Sequence, residues 1–566
     1  MTGKRKRNEE EKEMRKAKKL VSLAMTAVLT ATSLVGCGGN NQSQTSTPEK
    51  TTTGSSQQNT AQGGSSTSGE FSYPMSSTET LTYWCELNQN VSANYSSLGE
   101  TPFAQEWAKE TGVQLEFQHP PANQGKEQFS LLLADGNLPD LMEYAWMDYP
   151  GGPEKAISDG NILALNDIFE QYCPNIMKYL EENPDIDKMI KTDEGHYYVF
   201  PFIRGDSKLC NTIGPMIRQD WLEELNLEVP TTIDEWENVL IAFRDQKGAS
   251  APFCWEYTMG ALTNWNPFML AYGVTRDFYL ADDGSVHFGA TEQGYKEYLT
   301  LFHKWYAEGL LDPDLATLAL DQVSAKITNG HAGASLGWAG SRMGTWINAA
   351  TQTDPDFMLV PTPYPTLNKG DYPEFGQIDN QYPNQASVAI TKSCKNVELA
   401  ARLMDYAYSE EGHMLFNFGI EGESYTIIDG YPTYTDQILN NPDGWSVAQA
   451  LSAYIRGNYN GPFVQDIRYL EQYYTIDSQK ISNQIWGETN GAKHKIPPIT
   501  PTAEESREYS TIMNEINTYR DEMTLKFIFG TESLDNFDNY VKTIENMGLA
   551  RALEIQNLAM DRYNNR

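Results

Sequence analysis

Hydrophobic and polar residues follow two regular periods in the part of the chain that begins near Glu79. Alternation with a period of two predicts β-strands, and a spacing of three to four residues predicts helices. The resulting order is strand, helix, strand, helix, strand, over residues 81–85, 101–110, 113–117, 125–134 and 138–146. The first helix has clear boundaries, because Thr101 is a favoured N-cap, Pro102 fits the first turn and Gly112 stops the helix.

This order of elements predicts an α/β fold in which a mostly parallel sheet carries helices on its faces. Ligands of such sheets bind at the carboxyl ends of the strands. Those ends carry four aromatic or acidic side chains, Trp84, Glu86, Tyr144 and Trp146. We therefore expect these side chains to face a binding site.

The same two periods continue through the rest of the chain. They predict strands over 196–201, 332–338 and 387–390, helices over 295–307 and 397–408, and largely helical structure from residue 504 onward. A helix is also expected to open at Ile217. Another begins at Thr232, which has capping-box spacing to Glu235.

Length, charge and cysteine content narrow the class of protein. A chain of 566 residues favours two lobes over a single core. The formal net charge of −34 argues against nucleic-acid binding, which needs a basic surface, and against polyanionic ligands. The six cysteines show no Cys-x-x-Cys spacing, so we expect no metal cluster and mostly buried free thiols.

The first 36 residues have the pattern of a secretory signal peptide, with basic residues up to Lys19 followed by the apolar run 20–29. The sequence LVGC at 34–37 resembles the lipobox of bacterial lipoproteins, in which the cysteine is diacylated and the chain is cut before it. This resemblance implies a lipid on Cys37 that anchors the protein to the extracellular face of the cytoplasmic membrane. The composition of 37–73, rich in Gly, Ser, Thr and Gln, predicts a disordered tether.

Five segments in the folded part resemble one known family. They are MIRQDWLEEL at 216–225, VPTTIDEW at 229–236, YAEGLLDP at 306–313, DGNILALN at 159–166 and KNVELA at 395–400. In this order and spacing they resemble the extracellular solute-binding proteins of ABC importers, the family that includes oligosaccharide- and maltose-binding proteins. The resemblance covers about residues 79 to 430 and is strongest to the lipoprotein branch of Gram-positive bacteria.

The resemblance implies a two-lobed periplasmic-binding-protein-like α/β fold of type II, in which each lobe is a mostly parallel sheet flanked by helices and the ligand cleft lies between the lobes. We expect residues 74–202 and 338–422 in lobe 1, and residues 203–337 and 423–566 in lobe 2. The chain would cross between lobes near 202–204, 337–338 and 422. Ligand would close the lobes by a hinge movement, and the closed form would dock on the membrane permease as a monomer.

A carbohydrate site needs aromatic platforms for the sugar rings and planar polar groups for the hydroxyls. The aromatic candidates are Trp84, Tyr144, Trp146, Trp255, Trp265 and Trp338. Trp338 leads because it follows a glycine-rich strand at an expected crossing and matches a family position that stacks on sugar in maltose-binding relatives. Burial in a lobe core remains open for each tryptophan.

The polar candidates are Glu86, Asn88, Arg204, Arg342, Asp379 and Asn380. Two of them have alternatives, since Arg204 also fits a hinge salt bridge and the stretch from Asp379 also fits an ordinary turn. From the family and the charge we expect a neutral oligosaccharide as ligand.

Catalysis and metal binding have weak support in the sequence. The chain has no His-Glu-x-x-His motif. Asp185, Asp187, Asp193 and Glu194 form an acidic stretch without the twelve-residue calcium-loop pattern, so we predict no metal and no cofactor. A lipid-anchored glycan-degrading enzyme and a surface glycan adhesin remain open as alternatives.

Overall fold

The computed structural model describes residues 71–257, 266–456 and 460–566. The signal segment, Cys37 and Trp265 lie outside the described residues. Residues 71–73, which the sequence analysis gives to the tether, contact lobe 1. Tyr73 donates to the Arg402 carbonyl at 2.6 Å, and the Arg402 guanidinium lies 3.9 Å from the centre of the Phe71 ring. Residues 71–73 therefore belong with the folded lobe and not with the tether.

The strands of the described residues are short. In chain order, β1 to β13 are Thr80–Trp84, Gln114–Gln118, Leu141–Tyr144, Phe202–Arg204, Ile213–Arg218, Phe278–Leu280, Val286–Phe288, Ala334–Trp338, Leu359–Pro361, Ser387–Ile390, Tyr425–Ile428, Tyr431–Tyr434 and Phe463–Gln465.

The helices are longer and dominate the carboxyl-terminal third. In chain order, α1 to α22 are Gln89–Ser92, Pro102–Thr111, Gly125–Asp135, Gly152–Ser158, Asn166–Tyr172, Pro174–Glu182, Pro184–Met189, Gln219–Leu225, Ile233–Gln246, Pro267–Leu270, Gln293–Ala307, Leu320–Thr328, Thr345–Ala350, Val397–Asp405, Glu410–Phe418, Asp436–Leu439, Val447–Tyr454, Ile467–Tyr473, Asp477–Gly487, Ala503–Phe529, Phe537–Asn546 and Leu549–Asn564. Short 3₁₀ turns lie between them at Leu98–Glu100, Trp146–Asp148, Ser207–Cys210, Gly289–Thr291, Tyr406–Tyr408, Gly491–His494 and Leu534–Asn536.

The first hydrophobic core surrounds a four-stranded sheet of order β10-β3-β1-β2. β1 pairs in parallel with β2 and β3, and β10 joins β3 antiparallel. This agrees with the predicted mostly parallel sheet. The local signals for α2 are confirmed as well, because Thr101 accepts from the Ala104 amide, Pro102 begins the helix and Gly112 ends it at φ 73°.

The second core surrounds a three-stranded sheet of order β8-β5-β9. Both pairings of β5 are antiparallel, whereas the sequence analysis expects a mostly parallel sheet in each lobe. The parallel pairing of this lobe is limited to isolated bridges. Phe253 bridges in parallel to Leu311 and to Ala334, and neither bridge extends into a strand pair. Strand β5 also extends to Arg218, so the helix expected from Ile217 begins at Gln219.

The chain passes between the two cores at several places. β4 provides the expected first crossing and pairs in parallel with β13. The return expected near 337–338 lies later, because buried residues up to Phe375 belong to the second core and Tyr382 is the next in the first. A third crossing falls between Phe416 and Phe418, just before the expected position at Gly422.

Two further expectations have clear outcomes. The strand expected over 196–201 is reduced to isolated bridges, from Tyr197 to Lys191 and from Phe200 to Val388. The cysteine expectation is confirmed, since the cysteines at 85, 173, 210, 254 and 394 are all buried free thiols. Within the described residues, every helix is too short or too polar to cross a membrane.

Candidate functional site

A cavity of about 550 Å³ lies between the two cores. Its walls combine aromatic rings, amides and charged groups from both sides. The lining residues are Asn88, Asn90, Arg204, Thr212, Ile213, Trp338, Gly340, Ser341, Arg342, Asp379, Asn380, Pro383, Asn384, Gln385, Ala448, Leu451, Ser452, Tyr469, Tyr473, Tyr474 and Lys495.

Elements of both cores supply this lining. On the first side, Asn88 is the N-cap of α1 and its side chain accepts from the Asn90 amide. On the second side, β8 ends at Trp338, and α17 and α18 each contribute side chains to the cavity wall. The connecting stretch from Asp379 to Gln385 crosses beside β4. The cavity is therefore an interlobe cleft.

Four aromatic side chains line the cavity: Trp338, Tyr469, Tyr473 and Tyr474. Tyr469 and Tyr473 are one helical turn apart on α18, so their rings stack with centroids 5.9 Å apart and planes at 7°. A Cβ on Gly340 would lie 2.6 Å from the Tyr473 ring. The glycine therefore permits the close approach of the tyrosine ring to the turn that follows β8.

That turn is a stretch of π-helix, Ala339–Gly344, a geometry that often marks functional sites. The Gln479 amide holds it by donating to the Ala339 carbonyl at 2.8 Å. The turn directs Arg342 back over Trp338, with the guanidinium 5.2 Å from the ring centre. Arg342 also donates to Glu256 at 2.8 Å, which fixes the far end of its side chain.

Arg204 and Asp379 form an ion pair at 2.6 Å in the cavity wall. Arg204 is 5% exposed and also donates to the Leu209 carbonyl at 2.7 Å. Asp379 accepts from Gln377 at 2.8 Å. The pair links the first crossing strand to the return segment, so Arg204 forms a salt bridge between these segments and also lines the cavity.

Lys495 lines the same cavity from the segment before α20. Its Nζ atom is buried and has no hydrogen-bond partner among the described residues. Desolvation by burial lowers the pKa of Lys495 to about 8, although the nearby Asp379 carboxylate opposes this shift. Buried cations with a perturbed pKa, such as Lys495, concentrate at functional sites.

The structure brings six of the predicted residues together around the cavity: Asn88, Arg204, Trp338, Arg342, Asp379 and Asn380. Asn380 also donates to the Ile496 carbonyl at 3.3 Å, which ties the return segment to the Lys495 segment.

The structure places the other predicted residues elsewhere. Trp84, Trp146 and Trp255 are 3%, 2% and 1% exposed, so they are core residues and do not line the cavity. In the first lobe the cause is an aromatic cluster around Phe129, whose ring stacks on Tyr144 at 3.6 Å and lies edge-on to Trp146.

Glu86 lies against the start of α3, where its carboxylate occupies the space beside Gly125. Neither Glu86 nor Tyr144 lines the cavity.

Sequence reasoning missed Tyr469, Tyr473, Tyr474 and Lys495. For the tyrosines a signal exists, because the i, i+4 spacing of Tyr469 and Tyr473 places both on one face of a helix, although the sequence analysis predicted no helix there. For Lys495 the sequence offers none, since a lysine in a polar loop is ordinarily exposed.

Two groups of side chains have the composition of a metal site. They are Glu154, Glu194 and His196, and Asp282, Glu374 and His494, with potential ligand atoms within 4.8 Å of one another in each group. Hydrogen bonds already join His196 to Glu154 and His494 to Glu374.

The acidic stretch considered for calcium is also partnered in the structure. Both oxygens of Asp193 are engaged by arginines, Arg566 at 2.6 Å and Arg562 at 2.5 Å. Asp187 pairs with Lys191 at 2.6 Å. The carboxylates of Asp187 and Asp193 are therefore paired with lysine and arginine side chains of the protein itself.

Two α/β lobes joined by several crossings, with a cleft between them, define a two-lobed periplasmic-binding-protein-like fold. The chain belongs to the family of bacterial extracellular solute-binding proteins, whose model matches residues 95–414. The family expectation drawn from the five sequence segments is thus confirmed.

Two relatives of known name are similar to most of the chain. The fructooligosaccharide ABC transporter substrate-binding protein FusA of Streptococcus pneumoniae is 23% identical over 80% of this chain and 86% of its own length. Lipoprotein LipO of Bacillus subtilis is 23% identical over 60% of this chain and 67% of its own length.

Solved structures confirm the fold. The alginate-binding protein AlgQ2 without calcium ion superposes with a TM-score of 0.70 at 24% identity, covering 85% of this chain and 98% of that one. FusA of S. pneumoniae in complex with kestose gives a TM-score of 0.69 at 21% identity, covering 86% and 100%.

Proposed function

We propose that this protein captures an oligosaccharide in the interlobe cavity and delivers it to the permease of an ABC importer. The observation that carries the proposal is the pairing of Trp338, Tyr469 and Tyr473 with polar groups in one cleft between two lobes. Sugar rings present apolar faces that stack on aromatic side chains, and hydroxyls that pair with amides, carboxylates and guanidinium groups.

The relatives support this choice of ligand class. FusA carries fructooligosaccharide and ABC transporter in its name, and a solved structure of it holds kestose. A further neighbour, a human-milk-oligosaccharide-binding solute-binding protein from Bifidobacterium longum infantis, superposes with a TM-score of 0.68. The cavity volume of about 550 Å³ is in the range of small-molecule sites.

The proposal includes a lipid anchor on Cys37 at the outer face of the cytoplasmic membrane. Its support is the signal-like segment 1–36, the LVGC sequence and the similarity to lipoprotein LipO. An anchored receptor with a long polar tether stays close to its permease while it samples the surrounding solution.

A glycan-degrading enzyme is the second candidate, and the cavity argues against it. Glycoside hydrolysis uses two carboxyl groups on either side of the scissile bond. Among the described lining residues Asp379 is the acidic one, and its carboxylate is held by Arg204. We therefore propose a binding protein without catalytic activity.

A glycan panel tests the function. The purified protein is mixed with neutral and acidic oligosaccharides, the melting temperature is recorded, and the glycans are recovered and analysed. The proposal expects a raised melting temperature with at least one oligosaccharide, which is recovered intact. Conversion of a bound glycan to shorter products would establish the enzyme instead. A melting temperature that no saccharide changes would refute the proposal that the ligand is an oligosaccharide.

A further inference from the structure

The interlobe cavity is basic, although the protein as a whole is strongly acidic. The described lining residues include three cations, Arg204, Arg342 and Lys495, and one acidic side chain, Asp379. The whole chain has a formal net charge of −34. A positive cleft on so acidic a protein attracts an anionic group locally, while the surrounding negative charge disfavours a ligand with many charges.

The two arginines already have counterions. Arg204 pairs with Asp379 at 2.6 Å, and Arg342 pairs with Glu256 at 2.8 Å. The Lys495 ammonium differs from both, because its Nζ is buried and makes no hydrogen bond to any described residue. An ammonium group has three donors, and burying it without acceptors costs several kcal/mol.

Lys495 lines the cavity, so its ammonium donors, which lack acceptors among the described residues, lie at the ligand site. The neighbouring Ile496 carbonyl accepts from Asn380, and this bond ties the Lys495 segment to the return segment in the cavity wall. Its electrostatic neighbours are Asp379, Cys210 and Arg204, and the thiol of Cys210 is neutral because burial raises its pKa to about 11. The described surroundings thus leave one positive charge in excess at this end of the cavity.

We infer that the captured oligosaccharide carries a single carboxylate, as in a uronic or sialic acid residue, and that this carboxylate accepts hydrogen bonds from the Lys495 ammonium. This inference rests on the proposed function and narrows its ligand class. It replaces the neutral oligosaccharide expected from the sequence. That expectation used the net charge of the whole chain and not the charges that line the cavity.

The test is calorimetric titration with matched pairs of saccharides, each a neutral oligosaccharide and the same chain with one terminal hexose oxidised to its uronic acid, together with sialylated and unsialylated pairs. We expect the wild-type protein to bind the acidic member of one pair at least tenfold more tightly. Lys495→Met should abolish this preference, so that the acidic and the neutral member of the pair bind with affinities within threefold of each other. The control is Lys493→Met, an exposed lysine two residues away that does not line the cavity.

Each result has a distinct meaning. Equal or tighter binding of the neutral members by the wild-type protein would overturn the carboxylate inference and leave oligosaccharide capture standing. A preference for acidic members that survives in Lys495→Met would overturn the role of this lysine. Failure to bind any member of any pair, in a protein whose melting curve is normal, would refute the proposed function itself.

Proton linkage gives a second readout that a purely structural role would not move. The free protein loses the Lys495 proton as the pH rises through about 8, and a bound carboxylate raises the pKa of that ammonium. Binding of an acidic saccharide at pH 8.5 should therefore take up protons, visible as a difference in binding heat between buffers of unlike ionisation enthalpy. In Lys495→Met this difference should disappear, and an unchanged difference would contradict the inference.

Discussion

Lys495→Met should make the ligand-free protein more stable, although it removes a residue of the binding site. The side chain is buried in the cavity wall and its Nζ has no hydrogen-bond partner among the described residues. Methionine keeps the length of the apolar stem and removes the charge. The variant therefore separates the cost of a buried ammonium from the packing of the side chain around it.

The size of the effect follows from the pKa. Burial lowers the pKa of Lys495 from 10.5 to about 8 in the folded protein. At about 1.4 kcal/mol per pKa unit, the folded state at pH 7 bears a cost of about 3 kcal/mol for the charged group. We expect Lys495→Met to raise the free energy of unfolding at pH 7 by about 2–3 kcal/mol. The favourable attraction to Asp379 is already included, because it contributes to the pKa of about 8.

The sign of the pH dependence is fixed by the same values. Between pH 8 and 10.5 the unfolded chain holds the Lys495 proton and the folded protein does not, so this group makes the wild-type protein more stable as the pH rises. The advantage of Lys495→Met should therefore be constant below about pH 8 and shrink above it.

Urea denaturation at pH 7, 8 and 9 measures this advantage, with Lys493→Met as the control for loss of a surface charge. The control should change stability by less than about 0.5 kcal/mol. A Lys495→Met protein that is less stable than wild type at pH 7, or whose difference from wild type does not change with pH, would refute the reasoning. The expected outcome identifies Lys495 as a residue that costs stability and is retained for binding.

Two other predictions follow from buried contacts. Arg456→Met removes the partner of Glu143, which is 3% exposed and paired at 2.5 Å, so urea denaturation should show a loss of about 3–5 kcal/mol. Adding Glu143→Leu should recover most of that loss, and a double variant as unstable as the single one would contradict this account. Gly340→Ala places a Cβ 2.6 Å from Tyr473, so calorimetry should show saccharide binding weakened by about 1 kcal/mol in a folded protein. Unchanged affinity would remove that tyrosine from the binding surface.

The sequence predicts the first lobe well because its signals are local. The helix cap at Thr101, the stop at Gly112 and the first two alternating strands depend on neighbours a few residues apart, and the structure has these elements. The strand expected over 196–201 is the exception, since it is reduced to isolated bridges. The second lobe depends on long-range pairing. β5 pairs with β8 and β9, and the residues between β5 and β8 alone span more than a hundred positions, so local periodicity carries no information on strand direction.

Prediction of the site residues was limited in the same way, because the direction of a side chain depends on residues distant in the sequence. Arg204 and Trp338 were chosen because crossings between the lobes were expected beside them. Both line the cavity, although the return crossing lies later in the chain than Trp338. Trp84 and Trp146 were assigned to the site from their position at strand ends. There the direction of the ring is decided by Phe129, which draws both into an aromatic cluster.

The central claim is that a saccharide stacks on the aromatic wall of the interlobe cavity, and Trp338→Ala tests it most directly. Titration calorimetry of the tightest-binding oligosaccharide should show affinity reduced by about 1–3 kcal/mol, with an unchanged melting temperature for the ligand-free protein. Tyr372→Ala, which removes an aromatic ring that is 57% exposed and outside the cavity, should bind like wild type. Equal affinity of Trp338→Ala and the wild-type protein would contradict the account.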